Sequence, residues 1–430
     1  MATLLAPYNT AMQLGSGFNS FTQQLCIDNA VGREPDAPTD TLYEHGEKQI
    51  AQEVTYKTSV IDKVTDVTSA MNINPAFSIK YDTLNVSGNG DFLNISKVKE
   101  SDISFMITVK VINQIIYDHS LTKFQPISGL KAQNFADVYG DCFISGWQEG
   151  GSFVAVISVK AKDQEQADLI KAEAAIEFTK EFQNQKKLGL DVKGSFGKSG
   201  QEFLKQNETT ISVTWTGGGQ HLKSPTEDWT FETMKAAALK FPDLVSQTPI
   251  RTHAILTKYT ALRSFHASNL QATIPYFEKA SVYTAILQEA FLDYKNIAKN
   301  LQVLAFDASA GTQTLKDAPA AAKKTKSADL APKEEPESSG SESEGIVKVS
   351  TSGAETIASA KAPPKITEPY PPTIEGLEAA RQAVRIMLNR IVQEVDLIAR
   401  NPDLATDETR RIPYMSPFLF KQFIPVRTLL

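Results

Sequence analysis

Only two cysteines, Cys26 and Cys142, occur in 430 residues. No disulfide scaffold therefore organises the chain; one bridge between the two is open but not implied. No run of ~18 consecutive apolar residues occurs, which excludes a resident transmembrane helix. A basic surplus is missing too: 44 Lys and Arg stand against 50 Asp and Glu, a net charge of −6. Nucleic acid, whose phosphates demand a basic face, is not an expected partner. The segment Met1 to Gly15 has neither a basic start nor an apolar stretch of signal-peptide length. These absences lead us to expect a soluble protein, cytoplasmic or released without a classical signal peptide.

Motifs for chemistry are equally thin. Gly197-Lys198-Ser199 ends like a phosphate loop, but Val192 stands where the upstream glycine belongs. Gly15-Ser16-Gly17 and Gly88-Asn89-Gly90 lack the third glycine of a dinucleotide loop. No Cys/His spacing suits zinc, and no nucleophile signature surrounds Cys142. We expect no enzyme, no cofactor and no metal. The sequons at Asn94 and Asn207 are expected to go unused without a signal peptide.

What is present is a chain long enough for two or three domains, with an ordinary 41% of hydrophobic residues. One stretch stands apart. Residues 308–373 turn to Ala, Lys, Ser, Glu and Pro, with an acidic run from Lys333 to Glu344 and prolines at Pro363, Pro364, Pro369, Pro371 and Pro372. Large apolar residues are too few there to offset ordering entropy, so a disordered linker is expected. On either side lie helical patterns. Tyr283, Leu287, Ala290, Tyr294, Ile297, Leu301 and Leu304 step by four and three. Leu377, Arg381, Val384, Leu388, Ile391, Val395 and Ile398 do the same, with Arg381 the misfit. Seams of this kind suit an antiparallel helix pair. Thr373 is the expected N-cap of the second helix and Asn401-Pro402 its stop.

Upstream the chain reads as strands: Glu53 to Ile61, Ser104 to Val111, Ser152 to Val159, and Thr209 to Thr216 with alternating Ile211, Val213 and Trp215. Hairpin turns cannot join strands this far apart, so large insertions must. The first, Ala70 to Asp102, alternates at Phe77, Ile79 and Tyr81, shifts phase to Leu84 and Val86, and turns at Gly88-Asn89-Gly90. The second, Lys160 to Glu208, reads as a helix from Gln164 to Phe182, then alternates as a strand at Leu188, Leu190, Val192 and Phe196. Either insertion is long enough for a two-strand hairpin across a bilayer, at ~9–11 residues per strand. Lys80, Lys187, Asp191 and Lys193 would then have to face a wet lumen.

Before the third strand stands Tyr139-Gly140-Asp141-Cys142-Phe143, and after six intervening residues come Gly150-Gly151. Tyr139, Gly140, Phe143, Gly150 and Gly151 resemble the signature spacing of the membrane-attack-complex/perforin superfamily. Asp141-Cys142 replaces that signature's usual Thr-His. Leu84 to Leu93, Phe241-Pro242, Pro249-Ile250-Arg251 and Tyr259 to Leu262 are similar to stonustoxin-like relatives. The resemblance implies an α+β fold: a bent four-stranded antiparallel sheet flanked by two helical clusters, followed by a helical module. On this reading residues 1–265 form the perforin-like domain. The helical module comprises 266–307 and 374–430, split by the linker 308–373. The implied function is oligomerisation into rings on a lipid membrane and insertion of amphipathic hairpins, with Gly150-Gly151 as the hinge. Phe77, Ile79, Tyr81, Leu84, Val86, Leu188, Leu190, Val192 and Phe196 would be the inserting residues. A protein partner for targeting is possible on this reading. The alternative is a non-lytic intracellular interaction protein on the same scaffold.

Overall fold

The β-rich runs of the sequence become one antiparallel sheet whose two central strands are far longer than the runs themselves. The computed structural model describes residues 4–34, 52–81, 98, 101–160, 207–319 and 366–427, apart from 62, 102, 220–221, 224–226, 269, 271–273 and 313. Four short strands come first: β1 (Leu4–Pro7), β2 (Gly17–Asn19), β3 (Gln24–Leu25) and β4 (Val31–Arg33). Strand β5 (Glu53–Val60) leads into helices α1 (Val64–Ala70) and α2 (Pro75–Tyr81). Next come β6 (Ile103–Tyr117), β7 (Leu121–Phe124), α3 (Phe135–Tyr139) and β8 (Cys142–Lys160). They are followed by β9 (Glu208–Thr216), α4 (Phe231–Gln247), β10 (Ile250–Lys258) and α5 (Arg263–Ala267). Long helices α6 (Glu278–Ser309) and α7 (Ile374–Arg400) flank the short β11 (Leu315–Lys316). Helix α8 (Pro417–Lys421) and β12 (Val426–Arg427) come last among the described residues.

The fold is α+β. Strands β5, β6, β8 and β9 lie side by side in that order, all antiparallel. One face carries Phe105, Ile107, Val109 and Val111 of β6 with Phe153, Ala155, Ile157 and Val159 of β8, all buried. Helix α4 covers that face with Met234, Ala237, Ala238, Phe241 and Val245, spaced by three and four so that they share one side of the helix. Thr230 caps it, its hydroxyl accepting from the Thr233 N–H at 3.2 Å. Phe241 is fully buried with its ring 5.8 Å from Phe153; truncation to Ala there should cost ~3–5 kcal/mol. By strand alternation the opposite face is more polar, presenting Ser104, Thr108, Lys110, Ser152 and Ser158 among Met106, Val154 and Val156.

The third strand of the expected sheet begins ten residues earlier than the sequence reading places it, at Cys142 rather than Ser152. The motif does not precede the strand; most of it is strand. Two flanking elements explain the extension. Strand β10 pairs with β8 over Cys142–Gly150, and the last residues of β6 pair with Gly146–Gly150 on the other side. Strand β1 adds to β10, and β2 to the start of β8.

Of the two expected helical clusters, the described part of the first comprises α1 and α2, so it begins at Val64 and not at Ala70, where the sequence reading starts the insertion. The alternation of Phe77, Ile79 and Tyr81 is not a strand: all three lie on α2. Asn74 and Pro75 set this, because an Asn cap followed by Pro at the first helical position is a helix start. The Asn74 side-chain oxygen accepts from the Ala76 N–H at 3.0 Å. Phe77 and Tyr81 then share one side, their rings 4.9 Å apart, while Ile79 is buried on another. The second insertion, with its expected helix Gln164 to Phe182 and strand residues Leu188, Leu190, Val192 and Phe196, lies outside the described residues, as do Leu84 and Val86.

The chain divides into two compact units, 1–292 with 395–407, and 293–394 with 408–430. Both expected helical seams are buried. On α6, Leu287, Ala290, Tyr294, Ile297, Leu301 and Leu304 are buried, with Tyr283 half-buried. On α7 the seam runs through Leu377, Ala380, Val384, Met387, Ile391, Val395 and Ile398. Ala380 and Met387 thus take the places assigned to Arg381 and Leu388, which are half-buried. Thr373 caps α7, its hydroxyl accepting from the Gly376 N–H at 3.1 Å. Both ends of the segment 308–373 are structured: β11 pairs with β12, and the Tyr370 N–H donates to the Phe423 carbonyl at 2.9 Å. The linker expectation for 320–365 falls outside the described residues.

Candidate functional site: the glycine bend and the first helical insertion

The pairing of three strands becomes irregular at one level of the sheet. Ile112 pairs with Gly150 and Gln114 with Glu149, so Asn113 is an extra residue on β6. Arg251 pairs with Glu149 and His253 with Gln148, so Thr252 is an extra residue on β10. Two bulges therefore flank Gln148–Gly150 from opposite sides, and bulges bend the strand that carries them. At the same level β8 exchanges its outer neighbour: Cys142–Gly150 pair with β10, whereas Ser152–Lys160 pair with β9.

Gly150 has φ +155°, and a Cβ there would lie 2.0 Å from the Val111 carbonyl oxygen. Gly151 is constrained from the other direction, its virtual Cβ lying 2.5 Å from Val245 Cγ2 and 2.9 Å from Phe241 Cζ. The two glycines thus allow β6 on one side and α4 on the other to close on the bend. Asn113, buried in its bulge, holds α4 in place. Its amide donates to the Val245 carbonyl at 3.2 Å, and its oxygen accepts from Gln52 Nε2 at 2.9 Å. Gln52 also donates to the Pro242 carbonyl at 3.1 Å. Sequence reasoning missed Asn113; its trace was the polar pair Asn113-Gln114 at the centre of the run Val111-Ile112-Asn113-Gln114-Ile115-Ile116.

The other half of the motif sits elsewhere. Tyr139, Gly140 and Phe143 are separated from Gly150 by several residues of extended strand, about 25 Å at ~3.3 Å per residue. Tyr139 and Phe143 belong to a buried aromatic cluster with Phe124, Phe135, Tyr259 and Phe265. The Tyr139 O–H donates to the Gln125 carbonyl at 2.6 Å and accepts from the Ile127 N–H at 2.9 Å. Tyr259 donates to the Tyr139 carbonyl at 2.8 Å. Gly140, at φ +74°, ends α3 where a Cβ would meet the Phe18 carbonyl oxygen at 2.1 Å. This half of the motif anchors the base of β8 and is not brought together with the bend.

Asp141, which departs from the signature, is buried and accepts from the Ser20 N–H and hydroxyl, both at 2.6 Å. Burial raises its pKa above the usual carboxylate range despite those bonds. Burial also pushes Cys26 up to about 12 and raises Cys142 well above the usual thiol range, with Asp141 adding to both. Neither thiol is disposed to act as a nucleophile. No cluster of metal-ligating side chains occurs among the described residues. No helix among them is long and apolar enough to cross a membrane, a statement about helices alone.

Among the described residues, α1, α2 and the link between them make several polar contacts. His253, buried on β10, accepts at Nε2 from the Asn72 side-chain amide at 3.0 Å. Asn72 lies in the link between α1 and α2 and has a left-handed backbone, φ +56°. The other ring nitrogen, Nδ1, lies 3.0 Å from Thr252 Oγ1 and 3.3 Å from Gln148 Nε2. Burial, with the charge of Lys110 nearby, lowers His253 to about 4, so the ring is neutral and has one nitrogen free to accept. Gln23 donates to the Asn72 carbonyl at 2.8 Å and accepts from the Asn74 N–H at 3.1 Å. The Thr65 N–H at the start of α1 donates to the Glu289 carboxylate at 3.0 Å, and Lys80 pairs with Asp396 at 2.7 Å. Among the described residues of α1 and α2, Val64, Val67, Ala76 and Ile79 are buried.

No protein-family model matches the chain, and no curated protein matches it. Among solved structures it is similar to stonustoxin, with 9% identity over 70% of this chain and 36% of that one, TM-score 0.37. It is similar to GNIP1Aa from Chromobacterium piscinae, with 12% identity over 59% of this chain and 52% of that one, TM-score 0.35. It is also similar to the human-specific toxin intermedilysin, with 14% identity over 49% of this chain and 41% of that one, TM-score 0.28. The chain thus spans between about a third and a half of the length of the structures it matches.

Proposed function

We propose that this is a perforin-like protein that assembles on membranes and converts its two insertions into amphipathic hairpins. The observation that carries the reading is topological. Strand β5 ends at Val60 opposite Phe105, close to where β6 begins, and β8 ends at Lys160 opposite Glu208, where β9 begins. Both long connections therefore leave the four-stranded sheet from the same end. If each re-formed as a hairpin, it would lengthen the existing strands in register and in the same direction. The polar seating of α1 and α2 supports release, since hydrogen bonds exchanged for water carry little net free energy, ~0.5–1.5 kcal/mol each. A ring is required before insertion, because only a closed barrel pairs every backbone group in lipid. Residues Phe77, Ile79, Tyr81, Leu84, Val86, Leu188, Leu190, Val192 and Phe196 would supply the lipid-facing side.

The test is dye release from loaded vesicles, with electron microscopy for rings. Wild-type protein should release dye, and Val86→Asp with Leu190→Asp should abolish release while rings still form. Absence of both release and rings in the wild type would reject the reading in favour of a non-lytic interaction protein on this scaffold.

A further inference from the structure

Helix α8, in the second unit, shows two contrasting faces within five residues. Pro417 and Phe420 are buried, and the Phe420 ring lies 5.5 Å from Tyr294 and 6.1 Å from Tyr370. The surrounding chain is firmly tied. The Tyr294 hydroxyl donates to the Met415 carbonyl at 2.6 Å, and Arg390 to the Pro413 carbonyl at 3.1 Å. Glu394, only 1% exposed, receives two bonds from Arg410, each 2.9 Å. Yet Phe418 is 71% exposed and Leu419 46%, with Ile412 of the same segment at 56%. Large apolar side chains held outward by a rigid mount mark a contact surface.

The surrounding charge says which partner fits. Segment 408–427 carries Arg410, Arg411, Lys421 and Arg427 against Glu408 alone, in a chain whose net charge is −6. Arg410 is occupied by Glu394, but Arg411 and Lys421 are exposed. An apolar step flanked by cations matches the boundary of an anionic bilayer. The Phe and Leu side chains reach the acyl edge while the guanidinium and ammonium meet headgroups. We propose that residues 411–421 form the membrane-docking tip of this protein, with an anionic lipid surface as its ligand. The inference rests on the membrane reading above but concerns docking, not insertion.

The experiment is co-sedimentation of the full chain with phosphatidylcholine vesicles, with and without phosphatidylserine. Wild-type protein should bind the phosphatidylserine vesicles preferentially. The double variant Phe418→Ser/Leu419→Ser should bind about tenfold more weakly. Arg411→Glu/Lys421→Glu should lose the preference and most of its salt dependence. All four positions are exposed, so the unfolding midpoint should not move, and this serves as the folding control. Undiminished binding by the serine variant, or no wild-type preference for phosphatidylserine, overturns the proposal. Dye release separates the two ideas. A serine variant that binds and leaks like the wild type rejects the tip and leaves insertion standing. Wild-type binding through the tip without leakage does the reverse.

Discussion

Val111 and Gly150 approach so closely that no side chain fits between them: a Cβ on Gly150 would lie 2.0 Å from the Val111 carbonyl oxygen. Gly151 is closed off by Val245 and Phe241. Replacing both glycines with valine therefore does not yield a folded protein with a stiff hinge. We expect Gly150→Val alone to lower stability by ~2–4 kcal/mol, from backbone clash and an unfavourable φ. Denaturant unfolding measures this; a loss under 0.5 kcal/mol would mean the bend tolerates a side chain and is not set by this contact.

Asn113 gives a second prediction. Asn113→Leu fills the same space but leaves the Val245 carbonyl without its donor and removes a partner from Gln52. A loss of ~1–3 kcal/mol is expected from the stranded polar groups. Hydrogen exchange should quicken in α4 beyond Pro242. Unchanged exchange there would show that the bulge residue does not hold the helix.

Acidity should loosen the first insertion. His253 titrates at about 4 in the folded protein against an ordinary 6.5. A depressed pKa contributes stability that is present above pH 6.5 and is lost as pH falls through that value toward 4. The contribution is on the order of 3 kcal/mol. Protonation would place a second positive charge near Lys110 and turn the acceptor that faces Asn72 into a donor. Arg251 and Glu149, paired at 3.6 Å on neighbouring positions, largely offset each other. Asp141 works in the opposite sense, since a raised carboxyl pKa favours the folded state at low pH. The difference between wild type and His253→Gln isolates the histidine. Unfolding midpoints at pH 7 and pH 4.5 should diverge for the wild type more than for the variant; parallel shifts would remove His253 from the account.

The Glu394–Arg410 pair makes a fourth case. Arg410→Ala takes the two-bond charged partner from a buried carboxylate and should cost ~3–5 kcal/mol, whereas replacing both residues with methionine should cost little. Equal losses in the two variants, read by thermal unfolding, would show that packing and not charge pairing dominates there.

Much of this was legible from residue types. Ile211, Val213 and Trp215 alternate, and β9 follows. The fourfold and threefold steps from Leu287 to Leu304 gave the buried seam of α6, and those from Leu377 to Ile398 gave that of α7 except at Arg381 and Leu388. What escaped had physical causes. Pro242 interrupts the pattern of α4 on paper, yet the helix continues through it. Thr252 shifts the phase of β10, so alternation fails where the strand bulges. Phe77, Ile79 and Tyr81 carry a two-residue rhythm, but seven residues are too few to separate that from a helix, and Asn74-Pro75 decided it. The close backbone approach at Gly150 and Gly151 was legible as a glycine pair. That Tyr139, Gly140 and Phe143 serve a different place was not, because spacing along an extended strand says nothing of proximity.

One feature of the sheet bears on how it would yield under load. Strand β6 stays paired with β8 on both sides of Gly150-Gly151, with one bulge at Asn113, whereas the outer flank of β8 passes from β10 to β9 there. The sheet is therefore notched on one side and continuous on the other. A pull on β9 would concentrate stress at the notch, while the β6–β8 ladder, bulged only at Asn113, would act as the spine.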